Sequence, residues 1–265
     1  MKSPKKEAAM LPDHAIVANP HRTDLATDNS RYSIRVADAD ELRAAQRLRH
    51  RVFAGELGAR LHSPLAGLDV DTWDALCDHL VVVDDPTGEV VGTYRMLPPG
   101  RSPRLYSDTE FDLRELDPYR AGFVETGRSC VDPQHRGGAV INLMWAGIAR
   151  YLLLTGHRLL GGCASVPAAD ADEVWAYVKD RHLSADVHVT PHNPWPVSEA
   201  RGDVKAVPPL LRGYLRLGAK ICGPPAHDPD FGVADFYVLL DLDKTNPRYL
   251  RHFLGEHGLG ELAAA

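Results

Sequence analysis

The stretch "FVETGRSCVDPQHRGGAVINLMWAGIARYLLLTGHRLLGGC" runs from Phe123 to Cys163. Phe123–Val131 reads as a strand, and Asp132–Gly138 is a tight polar loop. Ala139–Thr155 is a long apolar helix, and Arg158–Val166 returns to strand. Strand, helix and strand in that order predict a parallel crossover, right-handed by default. The fold class that follows is mixed α/β, with a central mixed sheet flanked by helices.

Working outward, Tyr32–Val36 alternates like a strand. Asp38 or Asp40 can cap a helix over Glu41–Leu57, with Leu42, Ala45, Leu48, Val52 and Phe53 as its apolar stripe. Gly58–Asp74 reads as a loop. His79–Val83 and Glu89–Leu97 flank the turn residues Asp84–Gly88 and predict an antiparallel hairpin. Pro98–Pro118 is polar, with a short helix near Asp112–Leu116. Helices are expected over Asp170–Leu183, after Pro209 to Leu217, and over Arg248–His257, with a late strand at Phe236–Leu240. Residues 1–30 lack any period and are expected to be a flexible tail. Residues 31–265 then form a single domain.

Bulk properties narrow the class. The chain has 265 residues, 44% hydrophobic and 25% charged, so a sizeable core is expected. A net charge of −6 argues against a nucleic-acid coat. Cys77, Cys130, Cys163 and Cys222 are widely spaced, without a CxxC pair, as in a reduced protein. No apolar run reaches the roughly 20 residues that span a bilayer. The thirteen histidines show no HxxH or HExxH spacing, so no metal site is expected. The serines lack a GxSxG elbow.

The loop carries the first chemical signal. Gln134-His-Arg-Gly-Gly-Ala139 has the pattern Q-x-x-G-x-A between strand and helix. The first amides of a helix have no internal acceptors and carry partial positive charge. Glycines let a phosphate approach the backbone. Contacts to an anion are expected from Val131, Gln134, His135, Arg136, Gly137, Gly138 and Ala139. The plain alternative is a tight corner between two buried elements.

That motif resembles the acyl-CoA-binding loop of the GNAT acyltransferase superfamily, where loop amides hold the pyrophosphate of CoA or the pantetheine phosphate of acyl carrier protein. Within it, an ordered set resembles the acyl-homoserine-lactone synthases and their relatives. The set is Arg49 and Phe53 as R-x-x-x-F, Asp71 and Asp74 as D-x-x-D, Arg95, then Glu125 and Arg128 as E-x-x-R. The second half is instead similar to the ornithine-lipid acyltransferases. The matching residues are Leu210–Gly223, Asp228-Pro-Asp-Phe231 and Asp235, along with Cys77-Asp-His-Leu80 and Glu125–Cys130. A tryptophan usual in the lactone synthases is replaced here by Gly58-Ala-Arg60.

The resemblance implies a GNAT-like fold. It also implies N-acyl transfer from acyl-ACP or acyl-CoA to the α-amine of an amino acid, ornithine first, giving a lyso-ornithine lipid. The alternatives are lactone or other N-acyl amino acid synthesis, or a non-catalytic acyl-thioester-binding protein. No cofactor is expected to stay bound, because the acyl donor is itself a substrate. The enzyme is expected in the cytoplasm, touching the membrane face without crossing it.

An α-amine is mostly protonated at neutral pH, so a base is needed. Glu125, directly or through a water, is the candidate; holding the sheet together by pairing with an arginine is the alternative. Arg128, three residues on, faces the other way under strict alternation unless the strand bulges, and Gly127 is the expected place. Arg49, Asp71, Asp74 and Arg95 are expected to form an ion-pair network, lining an amine pocket or simply ordering the loop. Arg212, Arg216 and Lys220, at i, i+4 and i+8, suggest either an acyl-carrier docking stripe or a solvated helix face.

Overall fold

The structure is a computed structural model and describes residues 16–18, 31–245 and 248. In chain order, β1 (Ile16–Ala18) and β2 (Tyr32–Val36) precede α1 (Ala39–His50). The hairpin β3 (Asp78–Asp84) and β4 (Glu89–Leu97) follows, then the short β5 (Phe111–Asp112). β6 (Phe123–Val131), α2 (Ala139–Thr155) and β7 (Leu159–Pro167) are the crossover, followed by α3 (Ala171–Arg181) and β8 (Thr190–Pro191). α4 (Pro209–Leu217), β9 (Lys220–Ile221), β10 (Ala226–Asp228) and β11 (Val233–Asp241) complete the domain.

One sheet runs in the order β1-β2-β3-β4-β6-β7-β11-β10, with β9 also on β11. Every pairing is antiparallel except β6 with β7. The expected parallel crossover is therefore present, inside an otherwise antiparallel sheet.

The continuous apolar run of β3 has a plain cause: both faces of the strand are covered. Leu80 and Val82 pack in the cluster containing α2, while Val81 and Val83 pack in the cluster containing α1. α2 sits close because Gly147 has no side chain; a Cβ there would lie 2.3 Å from Ile34 Cδ1. A third cluster, around Phe111, Leu116, Phe123 and Tyr237, lies beneath the polar stretch that follows β4. That stretch carries 3-10 turns, Tyr106–Thr109 and Arg114–Gly122, the second overlapping the short helix expected near Asp112–Leu116. Pro118 inside the second turn removes a helix donor.

Asp38 caps α1 in a reciprocal box with Glu41. The helix expected through Leu57 changes character after His50. Arg51–Glu56 is a π-helix, closed by the Leu57 N–H on the Val52 carbonyl at 3.0 Å. Its wider turn buries Val52 and Phe53. Within the expected tail, Ile16–Ala18 pairs with β2; the remainder, and the helix expected over Arg248–His257 apart from Arg248, lie outside the described residues. No helix among the described residues is long and apolar enough to cross a membrane.

Candidate active site

The crossover strands do not stay together. β6 and β7 pair only from Phe123 with Leu159 to Glu125 with Gly161, and then diverge. At the branch point Gly162 approaches so closely that a Cβ would lie 2.2 Å from the Thr126 carbonyl oxygen. Beyond it lies a wedge-shaped cleft of about 420 Å³. Phe53, Leu57, Tyr94, Tyr214 and Phe231 give it apolar and aromatic walls. The Tyr94 and Tyr214 hydroxyls hydrogen-bond each other, and the Tyr94 hydroxyl reaches Thr126 Oγ1 at 3.4 Å.

The bulge exists, one residue beyond the expected place. Thr93 pairs with Cys130 and Arg95 with Gly127, so two steps along β4 match three along β6. Gly127 is in register. The extra residue lies at Arg128–Ser129, and Arg128, the sole described non-glycine residue with positive φ, sits at φ 53°. A left-handed conformation costs an ordinary residue about 1–2 kcal/mol. Long-range contacts outweigh that cost. The Arg128 guanidinium lies between the Tyr106 and Phe231 rings, 5.3 and 5.2 Å from their centroids. Its Nε is 3.3 Å from Asp69 Oδ2 and its Nη2 is 3.6 Å from Asp71 Oδ2. Glu125 and Arg128 both meet Tyr106, Glu125 at its backbone N–H and Arg128 over its ring.

Glu125 is not open to a substrate. Its Oε2 accepts the Tyr106 N–H at 2.6 Å and its Oε1 accepts that of Ser107 at 2.9 Å. Burial pushes its carboxyl up, against the hydrogen bonds from Ser107 and Tyr106 and the charge of Arg95. The void beside it is about 10 Å³, room for a single water at most. In this structure both carboxylate oxygens are taken by backbone N–H groups, and the space left beside them is that of one water.

The expected ion-pair network forms, but only its rim meets a cavity. Arg49 is fully buried; its Nη1 and Nη2 donate to Asp74 at 3.1 and 2.7 Å, and its Nε lies 3.0 Å from Asp69 Oδ2. Arg95 Nη1 joins Asp71 at 2.7 Å and Asp74 at 3.0 Å. Burial would raise the Asp74 carboxyl, yet the hydrogen bonds and charge of Arg49, with Arg95, bring it down to about 2. Arg49 and Asp74 tie the 69–74 loop to α1 and line neither large cavity. Phe53 walls the apolar cleft. Asp71 does line a second, polar cavity of about 410 Å³, with Asp69, Glu110, Asp228, Asp230 and Arg128. Arg128 and Phe231 belong to both cavities.

In the loop after β6, Gly138, at φ 97°, is the N-cap of α2, and no side chain caps the helix. Arg136 is already engaged: it pairs with Glu56 at 2.5 and 2.7 Å and bonds the Val131 carbonyl at 3.1 Å. His135 is held by the Tyr32 hydroxyl at 2.9 Å, and the Asp132 side chain accepts the Gln134 N–H. Arg51 reaches Asp132 at 3.1 Å, so the π-helix braces the loop from both its ends.

The basic stripe does not survive folding as one face. α4 stops at Leu217, where Gly218 turns left-handed, and Lys220 belongs to β9. Arg212 is half-buried and donates to the Val207 carbonyl at 2.8 Å; Arg216 remains exposed. The cysteines are poor nucleophiles, since burial pushes the Cys77, Cys130 and Cys222 thiols up to about 12 and Cys163 well above its ordinary value.

Sequence reasoning missed Glu110 and Asp235 as site residues. Glu110 sits in the polar stretch after β4, and Asp235 is one of two aspartates in an otherwise apolar strand, Asp241 closing it. Asp228 and Asp235 were visible as a motif without a role, whereas Glu110 gives no local signal.

The acetyltransferase (GNAT) domain family matches residues 48–146. An L-ornithine N(alpha)-acyltransferase of Rhizobium meliloti (strain 1021) is 35% identical over 250 residues, 83% of each chain. One from Agrobacterium fabrum is 31% identical over 280 residues, 92% of this chain and 94% of its own. Among solved structures, the CoA-dependent acyl-homoserine lactone synthase BjaI, with SAM and isopentyl-CoA, superposes with a TM-score of 0.51 at 19% identity. That match covers 81% of this chain and 83% of that one, and it shows a shared fold.

Proposed function

Because the chain belongs to the L-ornithine N(alpha)-acyltransferase family, we propose that it moves an acyl chain, 3-hydroxylated in the ornithine-lipid pathway chemistry, from a thioester donor to the α-amine of ornithine. The observation that carries this reading is the meeting of two unlike cavities at Arg128 and Phe231. The apolar wedge between β6 and β7 suits an acyl-pantetheine arm. The acidic cavity suits a small cationic amino acid.

The roles divide accordingly. Backbone amides at Gly137, Gly138 and Ala139 receive the donor phosphate. Arg128 receives the acceptor carboxylate, and Asp71 contributes negative charge facing its amines. Glu125 is a positioning residue that fixes Tyr106 under the Arg128 guanidinium. The amine attacks the thioester directly, in a ternary complex, because no thiol or serine among the described residues is activated as a nucleophile. Acyl carrier protein is the donor carrier we favour over CoA, with Arg216 and Arg212 near its acidic surface. A lipid product supports a site of action at the cytoplasmic membrane face.

The test supplies purified protein with ornithine and either 3-hydroxyacyl-ACP or long-chain acyl-CoA, and analyses extracts by mass spectrometry. An ornithine amide with matching free thiol is expected. A lactone formed from S-adenosylmethionine, or no product with either donor, overturns the reading.

A further inference from the structure

Three carboxylates stand together where the two cavities join. One oxygen from each of Glu110, Asp228 and Asp235 lies within 4.8 Å of the others. Glu110 leaves the 3-10 turn that Glu125 fixes, Asp228 ends β10, and Asp235 lies on β11 opposite Ser165 of β7. A small space of about 60 Å³ connects Glu110 and Asp235 with Arg128, Cys163, Ser165 and Phe231. Cys163, Ser165 and Arg128 also wall the acyl cleft.

Asp228 has a structural task, since its Oδ1 accepts the N–H groups of Asp230 at 2.8 Å and Phe231 at 3.1 Å. The other two have spare capacity. Asp235 is only 2% exposed, yet no donor among the described residues reaches its Oδ1. Glu110 Oε2 is buried and unpartnered as well. A buried carboxylate oxygen without a donor is costly; Glu110 and Asp235 share a proton between them, and the one charge left facing this space calls for a cation.

We propose that Glu110 and Asp235 together receive the reacting ammonium group of the amino-acid acceptor and take its proton. The inference rests on the acyl-transfer reading above. With the acceptor carboxylate on Arg128, its α-nitrogen lies beside this pair and faces the cleft that holds the thioester. The ammonium passes one proton to the pair. The freed nitrogen attacks the thioester carbon, forming the C–N bond. When the intermediate collapses, the C–S bond breaks and the second nitrogen proton goes to the leaving thiolate. The pair then releases its proton through the open polar cavity, so one proton appears in solvent for each amide made.

The electrostatics agree with the geometry. Burial raises both carboxyls; the charge and hydrogen bond of Asp235 add to it at Glu110, while at Asp235 the hydrogen bonds of Ser165 and Glu110 and the charge of Arg128 oppose burial and the charge of Asp228. The facing titratable groups, Cys163 and Tyr106, are themselves pushed up by burial and stay neutral. Two coupled carboxyls then hold one proton and one charge between them, which suits a group that must exchange a proton with an amine.

The test compares Glu110→Gln and Asp235→Asn with wild type in the full chain, using ornithine, norvaline and a long-chain acyl thioester. Each variant is expected to lose roughly 100-fold in kcat at neutral pH with both acceptors, while acyl-CoA binding and the thermal midpoint hold. The loss should shrink at alkaline pH, where the amine is already neutral. A kcat near wild type with a raised KM for ornithine alone would assign the pair to the side-chain ammonium and overturn the proposal. So would activity abolished by EDTA and restored by a divalent ion. If Asp235→Asn fails to fold, Glu110→Gln decides alone. Wild-type turnover of ornithine in the same assay separates failure of this inference from failure of the acyl-transfer reading.

Discussion

Replacing Arg49 with methionine keeps the length of the side chain and deletes its charge. In the folded protein that leaves Asp74 and Asp69 without the guanidinium that bonds both, at a position with no access to solvent. Removing one partner from a buried ion pair costs about 3–5 kcal/mol. The lower end applies, because Asp74 keeps Gln46 at 2.9 Å and Arg95 at 3.0 Å. The pKa gives a second measure: a carboxyl moved from 3.8 to about 2 corresponds to roughly 2.5 kcal/mol. At about 2–4 °C per kcal/mol for a domain of this size, the thermal midpoint should fall by about 6–12 °C at neutral pH. The same linkage predicts a pH signature. The folded pKa is depressed, so the stabilisation is complete above the ordinary carboxyl value and disappears as pH falls through about 2. Wild type should therefore lose more stability in that acid window than Arg49→Met does. Circular dichroism melts across pH, with ornithine kinetics alongside, measure both. A midpoint within about 1 °C of wild type together with a raised KM for ornithine would refute the reasoning, because Arg49 would then be touching substrate.

Other expectations follow from single features. Gly162→Ala places a Cβ against the Thr126 carbonyl; it should destabilise the fold by about 1–3 kcal/mol and weaken acyl-CoA binding in calorimetry. Gly138→Val forces a β-branched residue to φ 97°, so CoA affinity should fall about tenfold or more while ornithine binding is unchanged. Arg216→Glu should raise KM for an acyl-ACP donor and leave short acyl thioesters alone; an equal effect on both donors would remove Arg216 from any docking surface. Arg212→Glu is a poorer probe, because Arg212 also ties the segment before α4 through the Val207 carbonyl.

The elements that set the fold were legible because their signals are local. The hairpin turn at Asp84–Gly88, the strand Phe123–Val131 and the helix Ala139–Thr155 all follow from short-range pattern and turn chemistry. The ion pairs among Arg49, Asp71, Asp74 and Arg95 were legible as a set, although not which of them reach a cavity. That depends on how α1 lies over the loop. The bulge went to Arg128 instead of Gly127 because rings and carboxylates from distant segments hold a strained backbone that local preference disfavours. Glu110 and Asp235 are 125 residues apart in sequence, and only the antiparallel return of β11 beside β7 brings them together.

Arg128 makes the site hard to remodel in small steps. At most positions a side chain can be exchanged while the path of the main chain stays put. Here one residue shapes the strand and furnishes a wall to both cavities, so any substitution changes two things together. A lineage drifting toward a different amino-acid acceptor would find that position closed. Room for change lies in residues of the polar cavity away from Arg128, such as Thr72 and His192, which can vary without unbending the strand. New acceptor preferences, in nature or in a selected library, should accumulate there first.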